Sequence, residues 1–185
     1  MGGCIGLRAV MERRDVAACA FTGPMWGIAM SPVARVLGGA LAAASTTLGI
    51  GHRLAPGTRL ETYVSAEPFE GNMLTTDADM YAAMKAQCLQ HPDLALGGPS
   101  LHWVHEALSE THALARRPAP DLPCATFVGS NERIVDRGRI CARMDAWPHG
   151  TLKWVEGAEH EVLMERPTTR NAVIDAITSL FSKAA

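Results

Sequence analysis

Cysteine is sparse and unpatterned in this chain. Cys4, Cys19, Cys88, Cys124 and Cys141 are odd in number and never fall in a Cys-x-x-Cys spacing. Neither a disulfide framework nor a zinc site follows from them. Cys19 and Cys124 lie inside apolar strand-like runs, which reads as buried free thiols. Long apolar runs are missing as well. None is long enough to span a bilayer, and the amino terminus lacks the basic-then-apolar order of a secretory signal. An excess of one charge is also missing. The net charge is −2 over 185 residues, which removes the electrostatic reason to expect nucleic acid as a partner. The expectation is a cytoplasmic protein. What is present, 48% apolar and 19% charged residues, suits one folded core rather than a disordered chain.

Taken in order, Met1–Arg13 has helical character, with Ile5, Leu7, Val10 and Met11 as its apolar positions. Asp15–Phe21 is an apolar run closed by Thr22-Gly23-Pro24, as expected of a strand buried on both faces. The stretch from Trp26 to about Ala115 is rich in Gly, Ala, Ser, Thr, Met and Pro. It predicts two helices. One is capped by Thr76 and presents Met80, Met84 and Cys88; the other starts at Ser100 and presents Leu101, Val104 and Leu108. The last helix, Thr168–Lys183, carries Val173, Ile174, Ile177, Leu180 and Phe181 at helical spacing. Three strands with helices between them predict an α/β fold with a mostly parallel sheet. The domain reading is a core of residues 1–24 and 116–185 with a helical cap or lid insertion at 25–115.

Chemistry concentrates between Leu122 and Glu165. Leu122–Val128 is a short apolar run that stops at Gly129, followed by Ser130-Asn131-Glu132-Arg133. Thr151–Val155 is a second run, followed by Glu156-Gly157-Ala158-Glu159-His160-Glu161. In an open parallel sheet, catalytic groups collect beyond the carboxyl ends of strands. Glu132 and His160 occupy equivalent places after two such strands. On neighbouring strands the carboxylate would orient the imidazole, like the second and third members of a hydrolase triad. Asp136 is the alternative acid; its other reading is a charge at a helix amino terminus.

A nucleophile is what the pattern lacks. Ser100 and Ser130 sit in cap and turn contexts. Gly2-Gly3-Cys4-Ile5-Gly6 formally matches a Gly-x-Cys-x-Gly elbow, which makes a Cys4-dependent hydrolase one alternative, although an elbow needs a strand before it. His102, His105 and Glu106 have neither zincin spacing nor a third ligand, so no metal is expected. Met25, Trp26, Met30, Met73, Met80 and Met84 either line an acyl pocket or fill the core beneath the cap.

Gly129–Asp136 resembles the acid loop of the lysophospholipase and monoacylglycerol-lipase branch of α/β-hydrolases, and Glu156–Glu161 resembles its histidine loop. Gly97-Gly98-Pro99-Ser100-Leu101-His102-Trp103-Val104 is similar to a cap-helix motif of the lysophospholipase L2 group. Met1-Gly2-Gly3-Cys4-Ile5-Gly6 resembles the segment directly after the serine in the family's Gly-x-Ser-Met-Gly-Gly elbow. The resemblance implies the C-terminal part of an α/β-hydrolase fold with a helical cap. Glu132 would be the triad acid, His160 the base, and the Met1 backbone nitrogen an oxyanion donor. The nucleophile serine would immediately precede Met1, so the chain reads as a truncated hydrolase. The implied reaction is hydrolysis of a monoacyl lipid ester, without metal or cofactor. Peripheral membrane contact and self-association through an exposed sheet edge are further expectations. A catalytically inactive remnant that binds hydrophobic ligands or protein is the other alternative.

Overall fold

The structure is a computed structural model, and it describes residues 1–184. Seven α-helices and three strands follow one another in the order α1 (Gly2–Glu12), β1 (Cys19–Thr22), α2 (Pro32–Thr47), α3 (Tyr63–Ala66), α4 (Ala78–Gln90), α5 (Leu101–Ala115), β2 (Cys124–Gly129), α6 (Arg137–Asp145), β3 (Gly150–Val155) and α7 (Pro167–Ala184). The strands form one parallel sheet in the order β1-β2-β3. The expected α/β class with a parallel sheet is therefore what the chain adopts. The chain divides into two compact units, residues 1–29, 73–80 and 111–185 in the first and residues 30–72 and 81–110 in the second.

In the first unit, all six residues of β2 are buried. A central parallel strand covered on both faces has no solvent side to mark with polar residues, hence the near-continuous apolar run, broken only by Thr126, whose hydroxyl donates to Met144 Sδ at 3.2 Å. One core contains Phe21, Trp26 and Trp147. The two indoles stack with centroids 6.3 Å apart, and Phe21 meets Trp26 edge-on at 5.2 Å. Both indole N–H groups are satisfied, Trp26 donating to the Gly3 carbonyl at 3.0 Å and Trp147 to that of Leu122 at 2.8 Å. A second core joins Ala125, Phe127, Ala158, Val162 and Val173, with Ile177 and Leu180 of α7 against it. Trp26 is thus a core residue, 3% exposed.

Three local expectations need correction. β1 starts at Cys19, so Asp15–Ala18 stays outside the sheet. The cap of α4 is Asp77, whose Oδ1 accepts the Met80 amide at 3.0 Å, because the Thr76 hydroxyl is engaged by Glu165. Finally, α2 is a full helix beyond the two expected in this stretch. Ser31 caps it by accepting the Ala34 amide at 3.2 Å, and Pro32 opens its first turn. The second unit also contains α3, most of α4 and most of α5, with Tyr81 buried and its hydroxyl donating to the Glu67 carbonyl at 3.2 Å.

Candidate active site

The acid loop leaves β2 at Gly129, and the histidine loop leaves the neighbouring β3. The two are stitched together by backbone. Ser130 N–H donates to Val155 O and Asn131 N–H to Ala158 O, each at 3.0 Å. The Ser130 hydroxyl accepts from Gly157 N–H at 2.8 Å, and the Asn131 side-chain amide donates to Gly157 O at 3.1 Å. Gly129 is required here: a Cβ would lie 2.1 Å from the Glu159 carbonyl oxygen. The histidine loop can cross the end of β2 only because nothing projects there.

That crossing brings Glu132 and His160 together. Glu132 Oε2 lies 2.6 Å from His160 Nδ1. The other carboxylate oxygen accepts the amides of Ile134 at 2.6 Å and Val135 at 3.1 Å. The Glu132 side chain is fully buried and that of His160 is 17% exposed. Burial would push the Glu132 carboxyl up, but the His160 hydrogen bond and charge, with the two amides, hold it below the ordinary 4.5. Burial likewise pushes His160 down, and Glu132, helped by Glu161, outweighs it; the imidazole is held above the ordinary 6.5. An ionised carboxylate only accepts, so Nδ1 carries the proton and Nε2 is left for proton transfer. Glu161 Oε1 stands 3.8 Å from Nε2.

The remaining wall comes from β1 and α1. Gly23, just after β1, has φ +45°, and a Cβ there would come 2.9 Å from the His160 ring. The α-amino group of Met1 is close enough that its positive charge acts downward on His160. Residues around the start of α1 therefore share the neighbourhood of the imidazole. Cys4, by contrast, is buried at 3% exposure. Asp136 caps α6, its Oδ1 accepting the Arg139 amide at 3.1 Å; the carboxylate against His160 is that of Glu132.

One residue escapes any local reading. Glu165 is 2% exposed and gathers donors from the histidine loop and from one distant segment. Its oxygens accept from the Thr76 amide at 3.1 Å, the Thr76 hydroxyl at 2.5 Å and the Glu159 amide at 2.8 Å. His160 N–H donates to Met73 O at 3.2 Å and Glu161 N–H to Leu74 O at 2.8 Å. Glu165 thus clamps the 73–76 strip beside the histidine loop. Among the described residues, no three His, Cys, Asp or Glu side chains are grouped to hold a metal.

Residues 1–167 match the family described as Serine aminopeptidase, S33. The chain is 28% identical over 194 residues to lysophospholipase L2 of Escherichia coli strain K12, covering 99% of this chain and 56% of that protein. It spans about half the length of the curated relatives it matches. A probable lysophospholipase L2 of Haemophilus influenzae is 28% identical over 89 residues, 48% of this chain and 28% of that protein. Among solved structures, a soluble variant of the Saccharomyces cerevisiae monoglyceride lipase with a substrate analog aligns at TM-score 0.69 and 17% identity, covering 99% of this chain and 62% of that one. The monoacylglycerol lipase of Paleococcus ferrophilus aligns at TM-score 0.70 and 15% identity, covering 99% and 65%. The chain therefore belongs to the family described as Serine aminopeptidase, S33, and adopts part of the α/β-hydrolase fold.

Proposed function

We propose that this chain supplies the acid and the base of a Ser-His-Glu triad that hydrolyses the ester of a monoacyl lipid, a lysophospholipid or a monoacylglycerol. The observation that carries the reading is the buried 2.6 Å contact between Glu132 Oε2 and His160 Nδ1, with the other carboxylate oxygen pinned by two amides. A carboxylate held this firmly fixes the imidazole tautomer and favours the imidazolium that forms when the base takes a proton. In this reading the serine immediately precedes Met1 in the whole protein. The closeness of the Met1 nitrogen to His160 supports that position.

The serine oxygen attacks the acyl carbonyl while His160 Nε2 takes its proton, and Glu132 balances the imidazolium charge. The Met1 backbone N–H, an amide in the whole protein, donates to the tetrahedral oxyanion. The imidazolium then protonates the departing alcohol, water attacks the acyl-serine with His160 as base, and the fatty acid leaves. In this reading the helical insertion at residues 25–115 serves as the cap. In the same reading Cys4, buried at 3% exposure, packs in the core and takes no part in the chemistry.

The test uses the whole protein with the residues before Met1 in place. His160→Ala should lower kcat on a lysophospholipid or monoacylglycerol by at least about a thousandfold, the scale of losing a triad member. A variant retaining a tenth of the turnover would overturn the assignment.

A further inference from the structure

Two of the five free cysteines stand opposite one another across the sheet. Cys19 opens β1 and Cys124 opens β2, and the parallel register pairs their Cα atoms directly. In-register residues of neighbouring parallel strands point to the same face, with the strands about 4.8 Å apart. That spacing falls inside the Cα range a disulfide spans, roughly 4.4–6.8 Å. Both thiols are buried, Cys19 at 8% and Cys124 at 1% exposure. The other three cysteines, Cys4, Cys88 and Cys141, lie on the separate helices α1, α4 and α6.

The two side chains engage each other. Each thiol is the other's hydrogen-bond partner. That bond, with burial behind it, pushes the Cys19 thiol up. The same bond holds Cys124 below the ordinary thiol value against its burial, helped by Thr126, whose Oγ1 lies 3.8 Å from Cys124 Sγ. A more acidic thiol with a second thiol in contact is the arrangement that converts a sulfenic acid into a disulfide. The pair has no part in the proposed hydrolysis. It sits at the amino ends of β1 and β2, whose carboxyl ends lead to Gly23 and Glu132.

We propose that Cys19 and Cys124 are a site of oxidation by peroxide, closing to a reversible disulfide that joins β1 to β2. The Cys124 thiolate displaces hydroxide from the peroxide and becomes a sulfenic acid. The Cys19 sulfur then attacks that sulfur, which loses its hydroxyl as water as Cys19 gives up its proton. Two thiols lose two electrons and two protons, and hydrogen peroxide leaves as two waters. A dithiol reopens the link by exchange. The inference rests on β1 and β2 alone and holds whether or not the triad reading does.

The experiment treats the full 185-residue chain with a stoichiometric amount of hydrogen peroxide, alkylates it under denaturation and maps the cysteines by mass spectrometry. Free thiols should fall from five to three, two being consumed by one link. The peptides holding Cys19 and Cys124 should be joined several-fold more often than any other cysteine pair. Dithiothreitol should separate them, and a non-reducing gel should show only monomer. The oxidised chain should unfold at a higher urea midpoint, because the link restrains residues 20–123 of the unfolded chain. Treatment of the chain already unfolded in urea should lose the selectivity. The proposal is overturned by five retained thiols, by sulfinic acid at either position without a link, or by other pairings at equal frequency. Selectivity that persists in the unfolded chain, or a midpoint that does not rise, overturns it as well.

Discussion

At the scale of single residues, the proposed base is tuned by charges that the structure names. Glu132 holds His160 above its ordinary value, so the imidazole of this chain should titrate above about 6.5 when followed by its ring proton shifts. Glu132→Gln removes the ion pair and leaves burial and the Met1 ammonium acting downward against Glu161 alone. The titration should then fall below the wild-type value. An unchanged midpoint would mean that Glu132 does not govern the ring. In the whole protein the Met1 nitrogen is an amide in the proposed reading, so one depressing charge is lost and the rising limb of the pH–rate profile should lie above the ordinary histidine range.

At the scale of elements, the site depends on how closely two loops and one strip of chain approach. Gly129→Ala would place a methyl 2.1 Å from the Glu159 carbonyl, and backbone cannot yield as a flexible side chain can. Glu165→Ala would strip the Thr76 and Glu159 amides of their acceptor inside the protein. Each variant should lower unfolding stability by about 2–4 kcal/mol, from steric displacement in the first case and unsatisfied buried donors in the second. Urea unfolding checks both, and a loss below about 1 kcal/mol in either would contradict the packing described.

Across the whole molecule, the Glu132–His160 pair couples stability to pH. His160 has a raised folded pKa, so its contribution is complete below about 6.5 and is lost as pH rises through the folded value. Glu132 has a lowered folded pKa, so its contribution is complete above about 4.5 and is lost as pH falls through the folded value. The stability difference between wild type and Glu132→Gln should therefore be greatest between about pH 4.5 and 6.5 and shrink on either side. Unfolding measured near pH 3.5, 5.5 and 9 tests this; a difference that does not vary with pH would show that the pair is not ionised as described.

What the sequence determined by itself is what short range controls. β2 is a near-continuous apolar run because both its faces are covered, Gly129 punctuates its end, and Glu132 and His160 each follow a strand. α7 was readable because its helical period survives in Val173, Ile177 and Leu180. α2 has the same helical period in Val33, Val36, Leu37 and Leu41, but only the tertiary structure shows that this stripe faces outward while small residues, Ala42 and Ser45, face in. The distance between Glu132 and His160 was decided by β2 and β3 being hydrogen-bonded neighbours, and order across a sheet is not written in either strand. Glu165 is the clearest case. Its partners at Thr75 and Thr76 lie about ninety residues away, and a buried carboxylate takes its meaning only from donors that the tertiary fold brings to it.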